Sequence, residues 1–296
     1  MKKKKMTAKA RKEAITGLLF ITPTIIGLLI LNYYPIFETV YQSLCRTGDF
    51  GIGNTFIGLE NFVRLFQDKE VFRTLWNSVK YAALSLPLTI AISLVLAVLL
   101  NRKMQLRGLY RTIFFLPMVC APAAVAMVWK WMFNQDYGLL NHIFHAKINW
   151  VTDPIIALIA IVIVGVWSSI GNNMILLLGG LQDIPRDYYE AASLDGANGW
   201  QQLINITIPL ISPTIFFVIV TRVIAAMQVF DVIYMLIDLN NPAWKKTESL
   251  VFLFYKYSFE QSKKGYGATV VVLLLAVILI LTVIQLIGQK KWVHYE

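Results

Sequence analysis

At 57% hydrophobic and only 15% charged residues, with a mean hydropathy of +0.61, the chain carries too little charge for a soluble globular protein, where about a quarter of residues are charged. Its 296 residues suit about six membrane spans with modest loops and no soluble-sized domain. The net charge of +10 gathers in Lys2, Lys3, Lys4, Lys5, Lys9, Arg11 and Lys12 ahead of an apolar run, a basic flank facing anionic membrane lipid; with no aromatic rings interleaved among basic residues it excludes nucleic acid as a partner.

Residues 1–14 therefore read as a cytoplasmic tail and residues 15–36 as the first span, with Tyr33 and Tyr34 at the outer interface. Asn32-Tyr33-Tyr34-Pro35 follows the apolar run in place of a small-residue cleavage site, so the run is expected to be retained. Residues 37–81 are an outer loop in which 56–79 has helical periodicity and predicts surface helices. A permease-like core occupies 82–288. Its second span, 82–100, is followed by Arg102, Lys103, Arg107 and Arg111, a cytoplasmic loop by the positive-inside rule. The third span, 112–133, contains Pro117 and Pro122; proline there marks either a bend near a pathway or a kink made for packing. Residues 134–154 return outside, 155–181 and 214–237 form spans four and five, and 267–287 forms span six before the cytoplasmic tail 289–296. Cys45 in an outer loop and Cys120 in a span are not expected to form a disulfide.

Between spans four and five, residues 183–213 are too patterned for a tether. Asp183 is placed to cap a helix with Pro185 in its first turn, and Gly196 to end it. Asn198 is placed to cap a second short helix from Trp200 to about Ile206, with Pro209 breaking it before span five. The product is a helix–turn–helix on the membrane surface, with small residues that let a partner approach and Glu190 and Asp195 offering charge.

This stretch carries a resemblance. EAASLDG (190–196), nine residues, then ITIP (206–209) is similar to the EAA motif of binding-protein-dependent ABC importers, with Ile208 where that family usually has leucine. YYPIF after the first span, GLENF in the outer loop and VFDVIYML ending span five resemble the carbohydrate-importing permeases of maltose or multiple-sugar type. The resemblance implies an all-α polytopic fold, the six-span type I importer permease, with a cytoplasmic coupling helix–turn–helix between spans four and five. It also implies partners: a second homologous permease subunit, two ATPase subunits that bind ATP and Mg2+, an extracellular solute-binding protein, a sugar substrate and membrane lipid. The setting it implies is a bacterial cytoplasmic membrane, with both termini in the cytoplasm. Tyr189, Glu190, Ala191, Ala192, Asp195, Gly196 and Pro209 are the residues expected to engage an ATPase.

No chemistry of the chain's own is legible. There is no G-x-x-x-x-G-K-[ST] loop to cradle a nucleotide, so no cofactor is expected here and hydrolysis falls to partner subunits. His142 and His145 have no cysteine or carboxylate nearby to complete a metal site. Polar groups inside spans are costly and mark cavities or partner helices. Trp167, Ser168, Ser169 and Asn172 cluster in span four, and an aromatic plane beside hydroxyl and amide groups suits a sugar; helix–helix hydrogen bonding is the alternative. Arg222, Gln228 and Asp231 are the span-five candidates for the same pathway. Arg222 either pairs with an acid of another subunit or faces the cavity. The rival function, an ion-coupled secondary carrier, requires membrane carboxylates that Asp231 alone supplies poorly.

Overall fold

The computed structural model describes residues 8–48, 52–102 and 104–294; the lysines at 2–5, Lys103 and the last two residues lie outside them. In chain order the described elements begin with α1 (Arg11–Ser43), a hairpin of β1 (Cys45–Thr47) and β2 (Asn54–Phe56), α2 (Glu60–Gln67) and α3 (Lys69–Asn101). Then come α4 (Arg107–Val119), α5 (Pro122–Met132), α6 (Leu139–Ile143) and α7 (Ile156–Gln182). The second half runs α8 (Arg186–Leu194), α9 (Gly199–Leu210), α10 (Ser212–Met227), α11 (Asp231–Leu236), α12 (Trp244–Thr247), α13 (Leu250–Tyr255) and α14 (Lys264–Gly288). Four helices, α1, α3, α7 and the one containing α14, are each long and apolar enough to cross a membrane. Two bent pairs, α4 with α5 and α9 with α10, bring the number to six when each is one span.

The third span bends by 99° at Cys120–Ala121. Pro117 stays inside α4, whereas Pro122 opens α5 at a first-turn position where no N–H is needed. The fifth span is also interrupted. α10 has 16 residues, ~24 Å at ~1.5 Å per residue, short of a ~30 Å core; the chain then turns at Phe230 (φ −141°) into α11.

Residues 37–81, expected as a loop with surface helices, are organised differently. α1 continues through a π turn at Leu29–Tyr33 as far as Ser43, and α3 starts at Lys69, where the Asp68 carboxylate accepts from Glu70 N at 2.9 Å. At 33 residues, α3 is ~50 Å long and stands well clear of a ~30 Å core. Its first turns are polar yet buried: Asn77 donates to Lys245 O and Glu248 O at 3.1 Å each, and Ser78 Oγ accepts from Leu250 N at 3.1 Å. The antiparallel hairpin, pairing Cys45 with Phe56 and Thr47 with Asn54, adds strand to a fold read as all-α. Asn61 Nδ2 locks α2 to it, donating to Ser43 O and Cys45 O at 2.9 Å each. Cys45 is buried, Cys120 exposed, and both are free.

An ionic network ties these helix and loop ends together. Arg73 donates to Glu70 at 3.2 Å and Glu248 at 2.9 Å, Lys256 donates to Glu70 at 2.7 Å, and Tyr257 donates to Glu70 at 3.1 Å. Glu248 is 1% exposed; burial pushes its carboxyl above the usual range and the hydrogen bond from Arg73 pulls it back.

In the membrane layer α3 and α7 form the central pair. Tyr81, Ser85, Thr89, Ser93 and Ala97 recur at four-residue spacing and are all buried, and the small residues among them let helices approach closely without a hydrophobic driving force. The Tyr81 hydroxyl sits over Gly165, and Gly171 packs against the backbone of Phe114 and Phe115. Ser93 Oγ donates to Ile170 O at 3.2 Å.

Candidate functional site

The polar knob between α7 and α10 is held together by its own backbone and side chains. α8 starts one residue after Pro185, which takes the capping conformation (φ −58°, ψ 139°). Asp183 is instead the residue that closes α7, a correction to its expected role as cap: Pro185 lacks an N–H and fixes φ, so the turn before it cannot be helical. α8 ends in a Schellman turn: Gly196 has φ +81°, Gly196 N donates to Ser193 O at 3.1 Å and Ala197 N to Ala192 O at 2.9 Å. Asn198 then opens α9 with a full capping box, its side chain accepting from Trp200 N and Gln201 N while its own N–H donates to Gln201 Oε1 at 2.8 Å.

Cross-links make the two helices one body. Tyr189 OH and Thr207 Oγ1 are 3.0 Å apart, and Gln202 Nε2 reaches Ser193 Oγ at 3.0 Å and Ala197 O at 3.2 Å. Pro209 does not break the second helix. A π turn over Leu203–Thr207, with Ile208 N bonded to Leu203 O, makes room for the proline ring, and the chain stays helical to Leu210 before bending by 69° into α10. The outer face of this body is unpartnered among the described residues. Glu190, Ala191 and Asp195 are exposed, Ala192 is half-buried, and Leu194 and Trp200 are 90% and 69% exposed. Glu190 makes no ion pair there.

The span-four cluster is divided by the structure. Trp167 lies at the edge of Trp129, ring centroids 5.6 Å apart and planes at 73°. Ser168 and Asn172 are half-buried one turn apart, with no hydrogen bond among the described residues. Ser169 turns away onto its own helix, donating to Gly165 O at 2.7 Å, and Asn173 Nδ2 donates to Ser169 O at 2.7 Å. Arg222, on α10, is half-buried and interacts with Tyr81; among the described residues it forms no ion pair, and its Nε is shielded from solvent without a partner. Gln228 stands apart from these groups, in a groove of about 430 Å³ lined also by Pro35, Ile36, Thr39, Ile224 and Val271. Asp231 is exposed and begins α11, where a carboxylate suits the helix dipole. Sequence reasoning missed Tyr81, which lies over Gly165, one turn from Ser168, and interacts with Arg222; the only signal was the four-residue spacing of polar residues along α3.

The profile of the family described as binding-protein-dependent transport system inner membrane component matches residues 89–292. The chain is 33% identical to the sn-glycerol-3-phosphate transport system permease protein UgpA of Agrobacterium fabrum, over 94% of this chain and 95% of that one. It is 32% identical to the trehalose/maltose transport system permease protein MalF of Thermococcus litoralis, covering 95% and 96%. With the lactose transport system permease protein LacF of Rhizobium radiobacter it shares 33% over 94% and 95%. Among solved structures, a bacterial alginate ABC transporter, in complex with an alginate pentasaccharide-bound periplasmic protein, has a chain that superposes with a TM-score of 0.84 at 22% identity, covering 96% of each. That likeness establishes the fold.

Proposed function

The chain belongs to the family of binding-protein-dependent transport system inner membrane components, and from that premise we propose that it is the membrane-spanning permease subunit of an ATP-driven sugar importer, forming half of the translocation path. Relatives named for trehalose/maltose, lactose and sn-glycerol-3-phosphate support a carbohydrate or related polyol as cargo. A second, similar permease completes the path, a solute-binding protein delivers the sugar from outside, and two ATPase subunits below hold ATP and Mg2+. Both termini lie in the cytoplasm.

The observation that carries the coupling role is the internally bonded, outwardly bare helix pair α8–α9. A body whose own hydrogen bonds are satisfied, yet which exposes Leu194, Trp200 and an unpaired Glu190, is suited to a pocket on another protein. Closure of the ATPases around ATP carries that body inward as a unit. The 69° elbow at Ile211 passes the displacement to α10, and the cavity between the two permeases opens to the other side. Glu190 meets a basic residue of the ATPase, Ala191 and Ala192 allow close contact, and Gly196 sets the angle between α8 and α9. Tyr189, Asp195 and Pro209 hold the shape of the unit. In the path, Trp167 offers an aromatic face, with Ser168 and Asn172 free to bond hydroxyls.

Glu190→Lys is the test. The expected outcome in proteoliposomes of the whole complex is at least about a tenfold loss of sugar uptake, because one charge-assisted contact becomes a like-charge clash, while the permease itself keeps its thermal midpoint. Wild-type uptake and wild-type ATPase co-purification with the variant would overturn the coupling role.

A further inference from the structure

The face of α7 that carries Ser168 and Asn172 continues to the inner end of the helix as Ile175, Gly179 and Gln182, at three- and four-residue spacing. Ile175 is 40% exposed, Gly179 and Gln182 are exposed, and a Cβ at Gly179 would meet nothing within 4 Å. Gln182 is also where two cations converge. With its amide oxygen turned toward α4, it accepts from Nη2 of Arg107 at 2.8 Å and Nη2 of Arg111 at 3.0 Å. Two guanidinium charges thus share one neutral acceptor. Neither forms an ion pair among the described residues, and the Nε of each is shielded from solvent without a hydrogen-bond partner. Asp183, next in sequence, lines a different pocket with Ile184, Pro185 and His294.

One turn outward from Ser168 and Ser169, the same strip meets a third unneutralised cation. Gly165 underlies the Tyr81 hydroxyl, Tyr81 interacts with Arg222, and Arg222 forms no ion pair among the described residues. Positive-inside bias explains basic residues near the start of α4. It does not explain why their heads converge on an open helix face, nor an arginine at mid-span. Clustered charges of one sign attract counter-ions, and planar guanidinium groups match carboxylate and phosphate oxygens.

We propose that the cargo is an anionic carbohydrate, carrying uronic-acid carboxylates or a phosphate, with Arg222 receiving its charge near Ser168 and Asn172 and the Arg107–Arg111 pair receiving it at the inner exit. This rests on the importer reading above and narrows it. Arg222 and the Arg107–Arg111 pair are specificity residues at two stations of one path. The exit station is weakened by sharing Gln182, which lets an anion leave.

The test uses the purified whole complex without its binding protein, so that specificity set by that protein does not enter. Trigalacturonate and the corresponding neutral galactose trisaccharide are compared by calorimetry, at low and at 0.3 M salt, and then by ATP-dependent uptake with the binding protein restored. The expected result is tighter binding of trigalacturonate by about tenfold or more, lost in salt. A similar loss follows in Arg222→Gln and a loss of uptake rate in Arg107→Gln/Arg111→Gln, both rescued by lysine at the same positions, because each charged contact contributes on the order of a tenfold factor. Equal or better binding of the neutral trisaccharide, or variants that weaken both sugars alike, overturns the anionic assignment and leaves the importer reading standing. A change confined to co-purifying phosphatidylglycerol also overturns it and assigns the arginines to lipid. Failure of the importer reading looks different: uptake of either sugar without ATP, or a permease that captures no ATPase.

Discussion

Arg73 and Glu248 lie 175 residues apart in the chain and 2.9 Å apart in space, and no local pattern in the sequence announces that contact. Helical periodicity in 56–79 was legible; the identity of what its polar face would meet was not, because ion pairs between distant segments leave no spacing to read. The pair is lopsided. Glu248 is 1% exposed and Arg73 38%, so removing Arg73 strands a buried carboxylate, and Arg73→Met is expected to cost ~2 kcal/mol, below the ~3–5 typical when both partners are buried. The pH dependence has a definite sign. Burial holds the Glu248 carboxyl above its usual range, so the folded protein binds that proton more tightly than the unfolded chain does. The favourable contribution is full in acid and is lost as pH rises through the elevated value. Arg73→Met removes the group that pulls the carboxyl back down, so its deficit is greatest near pH 8 and shrinks toward pH 5, while Glu248→Gln flattens the dependence. Thermal midpoints in detergent at the two pH values check this; a deficit that grows in acid would place the stabilisation elsewhere.

At the scale of elements, the sequence is most transparent where the structure is decided by neighbouring residues. Gly196 ending one helix and Asn198 beginning the next follow from turn and capping chemistry that spans a few positions. Two neighbouring readings went astray for the same reason. Asp183 is a good cap by type, but Pro185 fixes where the turn must be; Pro209 is a helix breaker by type, but a π turn absorbs it. Each outcome depends on what the flanking spans impose on the ends of the loop, which local propensity does not contain. The turn at Phe230 that separates α10 from α11 is likewise invisible to hydropathy, which continues across it. These details make Gly196→Val informative. At φ +81° a β-branched side chain costs ~1–3 kcal/mol of backbone strain, and because the loop is held at both ends the strain changes the α8–α9 angle before it unfolds any span. Uptake by the complex should fall several-fold with an unchanged thermal midpoint, and Asn198→Ala, worth ~1 kcal/mol, should give a milder version. If the midpoint falls and uptake per folded complex is constant, the turn serves stability alone.

Considered as a whole, the molecule has a part that its own chain does not cover. From Arg11 through Ile26 every described side chain of α1 is exposed, with Phe20 at 82% and Leu31 further along at 75%. Only the outer third of the helix returns to the bundle, where Pro35, Ile36, Thr39 and Val40 line the groove against α10 and α14. At 33 residues, ~50 Å, α1 exceeds a ~30 Å core, and because it packs on the bundle only toward its C-terminal end, its N-terminal half stands uncovered by its own subunit. Lipid alone tolerates such a helix, since it is apolar on all sides. A second permease subunit is the occupant expected from the importer reading, because two half-paths must adhere and packing of apolar helices supplies that contact in a bilayer. A photoreactive residue at position 20 distinguishes the two in the assembled complex: irradiation should yield an adduct with the mass of this chain plus a second permease. The same residue at position 284, on the exposed inner part of α14, provides the comparison. Phospholipid adducts alone at position 20 would make α1 a membrane anchor, and the contact between the two permeases would then have to be built from the bent spans.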